Sequence, residues 1–150
     1  MITEIYNHEI LRYASYLSYP PKIKQPDAKA CKHSKLCGST ISVELKMENG
    51  IITDFSQKVH ACVLGQASAS IMAQNIIGVS AEEIKNLKNT IRTMLEKNGP
   101  TPKRQFSAFS CLQVAKPYKT RHASIMLVFD AITDCIEQIE KKLSDKSYGF

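Results

Sequence analysis

Residues 41–61 carry their own instruction to fold back. Ile41-Ser-Val43-Glu-Leu45-Lys-Met47 alternates apolar and polar side chains, Glu48-Asn49-Gly50 is turn chemistry, and a second strand runs from Ile51 to Ala61. A two-residue Asn49-Gly50 loop sets Val43 opposite Ser56 and Leu45 opposite Asp54. A three-residue loop, with Gly50 taking the positive φ of a bulge, faces Met47 with Ile51 and Val43 with Phe55. The second register keeps the apolar faces paired and is the expected one. It puts Cys37 across from Ala61, one residue from Cys62, with the two sulfurs roughly 4–8 Å apart at a strand spacing of about 4.8 Å. Two thiols held at the mouth of one sheet suit metal or sulfur chemistry.

The remaining chain constrains the class. With 150 residues, 43% of them apolar, one domain over residues 1–150 with a real core is expected. No apolar stretch approaches 18 residues, and the N-terminus lacks a charged region followed by a hydrophobic one, so no membrane association and a cytoplasmic location are expected. Five cysteines, an odd number, argue against a disulfide framework and for free thiols or ligands. The net charge of +6 is concentrated in two stretches. Residues 18–43 carry Lys22, Lys24, Lys29, Lys32 and Lys35 against Asp27, and residues 100–123 carry Lys103, Arg104, Lys116, Lys119 and Arg121 with no acid. Nucleic-acid binding finds no glycine-aromatic motif, helix-turn-helix pattern or zinc-finger spacing to support it. An acidic protein partner fits the charge better.

Apolar periodicity lays out the other elements. Ile2, Tyr6, Ile10, Tyr13 and Leu17 form one helical stripe over 3–17, which Pro20-Pro21 ends. Residues 27–33 are too polar for a central strand and suit an edge. A helix rich in small residues spans about 64–77 and stops at Gly78. Ser80-Ala-Glu-Glu83 is a capping box for a helix with Ile84, Leu87, Ile91 and Leu95 on one face, stopped by Gly99-Pro100. A proline-containing loop follows. The longest helix then opens at Pro117 and runs to about residue 143, with a stripe of Ile125, Phe129, Ile132, Ile136, Ile139 and Leu143. The expected fold is α+β, a small antiparallel three-stranded sheet covered by helices.

Cys62 stands where a strand ends and a helix begins. Unpaired N–H groups and the positive dipole end favour a thiolate there, although a cysteine also packs as a small hydrophobe. His122 falls in the first turns of the long helix, where an imidazole is either a ligand or a satisfied surface group. Cys135 lies on the apolar stripe and belongs to the core, while the pattern leaves Cys111 open. Cys31, His33 and His60 lie near the mouth of the hairpin, with His60 two residues before Cys62 and so expected on the same strand face.

Three segments together resemble one family, the NifU N-terminal, IscU and SufU type of iron–sulfur cluster assembly scaffold. Cys37-Gly38-Ser39 resembles its Cys-Gly-Asp. Ala61-Cys62 followed by Ala67-Ser-Ala-Ser70 resembles its Gly-Cys and the serine-alanine helix after it. Arg121-His122-Ala123-Ser124 with Asp130-Ala131-Ile132 resembles its His-Cys-Ser and Asp-Ala-Ile segment. The resemblance covers most of the chain, in order. It implies a non-enzymatic scaffold with the three motifs converging at one end of the sheet.

The site is a degenerate version of the family's three cysteines and an aspartate. Ser39 stands at the aspartate position and Ala123 at the third cysteine position. The resemblance therefore implies Cys37, Cys62 and His122 as metal ligands. A four-ligand set needs one more donor from among Cys31, His33, His60, Ser39, water, a free thiol or a second subunit. The implied cargo is an iron–sulfur cluster of the 2Fe–2S kind, or iron, and a two-cysteine, one-histidine set also suits zinc. The implied partners are a cysteine desulfurase that delivers sulfur and apo iron–sulfur acceptor proteins that take the cluster. Two alternatives share the fold: a zinc-holding sulfur acceptor for the desulfurase, and a metal-free interaction protein. Ala115-Lys-Pro117-Tyr-Lys119 departs from the Leu-Pro-Pro-Val-Lys run that some members present to a dedicated chaperone. Both basic stretches lead into the expected site, where they favour thiolates and an anionic cluster.

Overall fold

The alternating segment forms the centre of a three-stranded antiparallel meander. In this computed structural model, which describes residues 7–17, 22–35 and 38–148 (side chains through 145), β1 is Ala28–His33, β2 Thr40–Glu48 and β3 Ile51–His60, in the order β1-β2-β3. Asn49 (φ 53°) and Gly50 (φ 78°) both take positive φ, the type I′ requirement that places Glu48 opposite Ile51. The loop is therefore the two-residue one, and the expected three-residue register is wrong. A bulge corrects the faces instead. The ladder shifts between Lys46 and Met47, leaving Thr53 as the extra residue, and from there Leu45 faces Phe55, Val43 faces Gln57 and Ile41 faces Val59. Beyond the bulge the ladder runs one residue away from the two-residue register and two from the three-residue one. The expected pairing of Cys37 with Ala61 concerned a residue outside those described, and the register behind it does not hold.

Helices cover the face that carries Ile41, Val43 and Leu45. The helices are α1 (His8–Ser15), α2 (Val63–Asn75), α3 (Ala81–Lys97) and α4 (Lys119–Tyr148), with a 3-10 helix at Arg104–Ala115. The expected helix start at residue 3, with Ile2 and Tyr6 on its stripe, lies outside the described residues. Asn7 caps α1 by accepting from Ile10 N–H at 3.0 Å. α4 lies across β1 and β2, while α2 is enclosed by α1, α4, β3 and the 3-10 helix. That enclosure explains its small residues. Gly65, Ala67, Ser68, Ala69 and Ser70 are all buried, and a helix covered on every side gains close backbone approach from short side chains. Ser68 Oγ donates to Ile125 C=O of α4 at 2.8 Å, and Gln57 Nε2 donates to Ala69 C=O at 3.0 Å.

The capping box reading holds, since Ser80 Oγ accepts from Glu83 N–H at 3.1 Å. α3 ends one residue earlier than the glycine signal, with Asn98 in the left-handed region (φ 60°). Residues 104–115, expected as loop, form a 3-10 helix instead. Phe106, Phe109, Leu112 and Ala115 recur every three residues and all are buried, which is the 3-10 repeat. The α4 stripe is buried from Ile125 to Ile139, but Leu143 is 59% exposed because the helix outruns the sheet. Lys32 pairs with Asp134 at 2.9 Å, and α4 also blunts the edge strand: Gln138 Nε2 donates to Lys29 C=O and Lys142 Nζ to Asp27 C=O. The three-stranded sheet under helices is the expected α+β architecture.

Candidate functional site

One tip of the fold gathers the end of β3, the start of α2, the β1–β2 loop and the start of α4. Strand β3 stops at His60, and Cys62 becomes the N-cap of α2 in extended conformation (φ −66°, ψ 170°), with no side-chain cap bond of its own. Gln66 fastens this corner twice: its N–H donates to Cys62 C=O at 2.9 Å and its Nε2 to Ala61 C=O at 2.8 Å. The half-buried Cys62 thiol thus sits beside the unpaired N–H groups of a helix N-terminus.

The β1–β2 loop brings Ser39 to the same place. Gly38 has φ +69°, donates to Ser34 C=O at 2.9 Å, and Ser34 N–H donates to Ser39 C=O at 2.8 Å. Glycine at 38 is required by that left-handed backbone. Cys37 lies outside the described residues. From α4 comes Ser124, whose Oγ is 3.2 Å from Cys62 Sγ and 3.3 Å from Ser39 Oγ. Ser39 and Ser124 are 1% and 2% exposed, so this is an interior polar chain. The sequence reading quotes Ser124 within the third motif but gives it no role in the site. The readable sign was Gly65, three residues after Cys62, where a Cβ would lie 2.5 Å from Ser124 Oγ.

His122 is half-buried and anchored in a defined way. Its Nε2 lies 3.0 Å from both Ala115 C=O and Lys116 C=O at the end of the 3-10 helix. Two carbonyls can only accept, so Nε2 carries a hydrogen, and a neutral ring with that tautomer has its lone pair on Nδ1. A ring nitrogen held by a backbone carbonyl, with the other free, is how ligating histidines are oriented. Ala123, between His122 and Ser124, is half-exposed and offers no donor.

The other expected candidates separate. Cys31 pairs with Ser42, His33 with Thr40, and Thr40 in turn with His60. All three candidates are exposed on the sheet face away from the helices. His60 does not share a strand face with Cys62, because the strand ends before Cys62 is reached. Among the described residues, no three His, Cys, Asp or Glu side chains are close enough to hold one metal ion. Cys111 and Cys135 are interior thiols, and burial pushes each up to about 12. Cys135 packs in the core as expected, with Sγ 3.8 Å from Val43 C=O. Of the basic stretches, only Lys32 is ion-paired among the described residues. Lys35, Lys119 and Arg121 lie beside the site segments and form no ion pair among the described residues.

A sheet covered by helices on one face, with cysteine, serine and histidine segments meeting at its tip, is the α+β arrangement that the motif resemblance implies. Comparison with known proteins agrees: residues 6–143 match the family model of the NifU-like N-terminal domain. The chain belongs to that family, the NifU, IscU and SufU type. It is 27% identical to the iron–sulfur cluster assembly scaffold protein IscU of Thermotoga maritima, over 91% of this chain and 96% of that one. The crystal structure of the N-terminal part of a nitrogen-fixing NifU-like protein from Brucella abortus superposes with a TM-score of 0.91 at 48% identity, covering 94% of this chain and 98% of that one. A protein from Fervidobacterium islandicum, described as an iron–sulfur cluster assembly scaffold for the SUF system, shares the fold at a TM-score of 0.79 and 19% identity, over 87% and 96% of the two chains. No helix among the described residues is long and apolar enough to cross a membrane.

Proposed function

We propose that this chain, as a single cytoplasmic domain, is a scaffold on which iron–sulfur cargo is assembled at Cys37, Cys62 and His122. The observation that carries this reading is the tip itself. The Cys62 thiol sits half-buried at a helix N-terminus, hydrogen-bonded to Ser124 of α4, two residues after His122, whose Nε2 is held by backbone carbonyls. Family membership supports it, and the IscU relative is named as such a scaffold. The cargo is a 2Fe–2S cluster or its iron precursor, delivered onward to apo acceptor proteins.

Sulfur reaches the site from a cysteine desulfurase. A thiolate of Cys37 or Cys62 attacks the terminal sulfur of the donor's persulfide, the donor's S–S bond breaks, and the donor leaves as a thiolate. One neutral sulfur atom moves and no external reductant is needed. Ala123 has no sulfur to take part. Lys35, Lys119 and Arg121 favour an acidic docking surface and an anionic cargo.

Anaerobic reconstitution with iron and sulfide tests the reading. Wild-type protein is expected to develop sulfur-to-iron charge-transfer absorption. Cys37→Ser and Cys62→Ser are each expected to abolish it, while Cys135→Ser keeps it. Equal iron content in all of these proteins refutes the ligand set, and zinc retained in place of iron identifies the zinc-holding sulfur acceptor.

A further inference from the structure

Among the described residues, the sulfur of Cys62 makes one hydrogen bond, and its partner is Ser124. Ser124 in turn touches Ser39, giving a continuous path Ser39 Oγ, Ser124 Oγ, Cys62 Sγ with steps of 3.3 and 3.2 Å. Both hydroxyls are almost wholly buried, so water cannot take either place. The path acquires a direction once the sulfur holds cargo. A metal-bound thiolate only accepts, and each hydroxyl has one hydrogen. The Ser124 hydrogen then points at the sulfur, which obliges Ser39 to donate to Ser124.

The backbone is arranged to permit this reach. A Cβ at Gly65 would lie 2.5 Å from Ser124 Oγ and 3.3 Å from Ser124 C=O. Ser68, one turn further along α2, holds the same stretch of α4 by donating to Ile125 C=O at 2.8 Å. Ser124 is thus delivered to Cys62 by a close α2–α4 contact at Gly65. We propose that Ser124 is a positioning residue, which, with Ser39 behind it, fixes the side-chain rotamer of Cys62 and presents its sulfur to a metal ion from one direction. This inference rests on the reading of Cys62 as a cargo ligand. It adds that the hydroxyls at 39 and 124 act through that sulfur rather than as ligands themselves.

Two measurements on the full chain test it. The first is anaerobic titration with cobalt(II), read by thiolate-to-cobalt charge-transfer absorption. Loss of an outer-shell hydrogen bond to a ligand weakens metal binding by about ten- to a hundredfold. Ser124→Ala, which adds no atoms, is expected to show that loss together with a shifted charge-transfer band. The double variant with Ser39→Ala is expected to be no weaker than Ser124→Ala alone, because the two hydroxyls act in series. The second measurement needs no metal. Three-bond couplings about χ1 of Cys62 are expected to report one rotamer in the wild type and an average in Ser124→Ala, whatever fall in the urea midpoint the two lost hydrogen bonds bring. Unchanged couplings and wild-type cobalt affinity in Ser124→Ala overturn the inference. So does a fall in the urea midpoint without rotamer averaging, which marks a merely structural hydroxyl. A wild type that shows no cobalt band beyond that of Cys62→Ser, yet a Cys62 rotamer that depends on Ser124, overturns the ligand reading and leaves the positioning.

Discussion

Replacing Gly65 by alanine sets two effects of opposite sign against each other. In a helix interior the change alone stabilises by about 1 kcal/mol, since alanine loses less backbone freedom on folding. The surroundings oppose it. The new methyl would lie 2.5 Å from Ser124 Oγ and 2.8 Å from Ala61 Cβ, where ordinary contact begins at 3.4 Å. The serine hydroxyl can rotate away only by giving up its bonds to Cys62 and Ser39, each worth about 1 kcal/mol. Ala61 has no rotamer to change, so α2 must shift from the strand–helix corner. Overpacking of this kind costs about 1–3 kcal/mol. With the lost bonds added and the propensity gain subtracted, Gly65→Ala is expected to be net destabilising by about 2–4 kcal/mol. Equilibrium urea unfolding measures it: with a slope of about 2 kcal/mol per molar, the midpoint falls by about 1–2 M at unchanged slope. Adding Ser124→Ala recovers part of the loss, because the Ala61 contact persists. A Gly65→Ala protein as stable as the wild type, or more so, would falsify the close approach of α2 and α4.

Two further expectations follow from the interior and from a helix end. Cys111 and Cys135 are each raised to about 12 by burial, above the ordinary thiol value of 9.0. A raised value in the folded state means stability that is complete below the unfolded value and lost as pH climbs toward the folded one. The urea midpoint should therefore fall between pH 9.0 and about 12, and fall less steeply in a Cys111→Ser/Cys135→Ser protein; equal slopes contradict the burial of these thiols. At the α3 start, Ser80→Ala removes the bond to Glu83 N–H and should cost about 1 kcal/mol in the same assay. No change in midpoint there means the cap is made by another group.

The helices were legible because each buries one stripe at a regular spacing. Ile84, Leu87, Ile91 and Leu95 are all in the core, and the edge character of β1 was visible in its lysines. The sheet register was less accessible. Asn49-Gly50 does specify its own turn, but the bulge at Thr53 has no residue signature, since Thr suits a regular strand position equally well. Only the packing of Leu45, Val43 and Ile41 under the helices selects it. The 3-10 helix fails for a different reason: Phe106, Phe109 and Leu112 repeat at three, a spacing shared with α-helices and compatible with irregular chain. Leu143 continues a stripe that the sheet is too short to cover.

The site divides along the same line. Cys62, Ser39 and His122 carry recognisable neighbours in sequence, and Cys62, Ser39 and Ser124 do meet through hydrogen bonds. What sequence parity could not give was the direction of each side chain. Cys31 and His33, expected near the mouth of the hairpin as possible further donors, lie on the outer face of β1, opposite Ala28 and Ala30. Applied to His60 and Cys62, parity fails, because alternation belongs to strands and the chain has become a helix cap by residue 62. Ser124 is the converse case. It follows a position that has lost its sulfur, and its burial gives no hint of chemistry, because small hydroxyl residues are frequent in tightly packed helix contacts. Its contact with Cys62 spans 62 residues of chain and exists only because α2 and α4 cross closely at Gly65. With alanine at 123, α4 still reaches Cys62 through the Ser124 hydroxyl, two residues after the His122 that is proposed as its ligand.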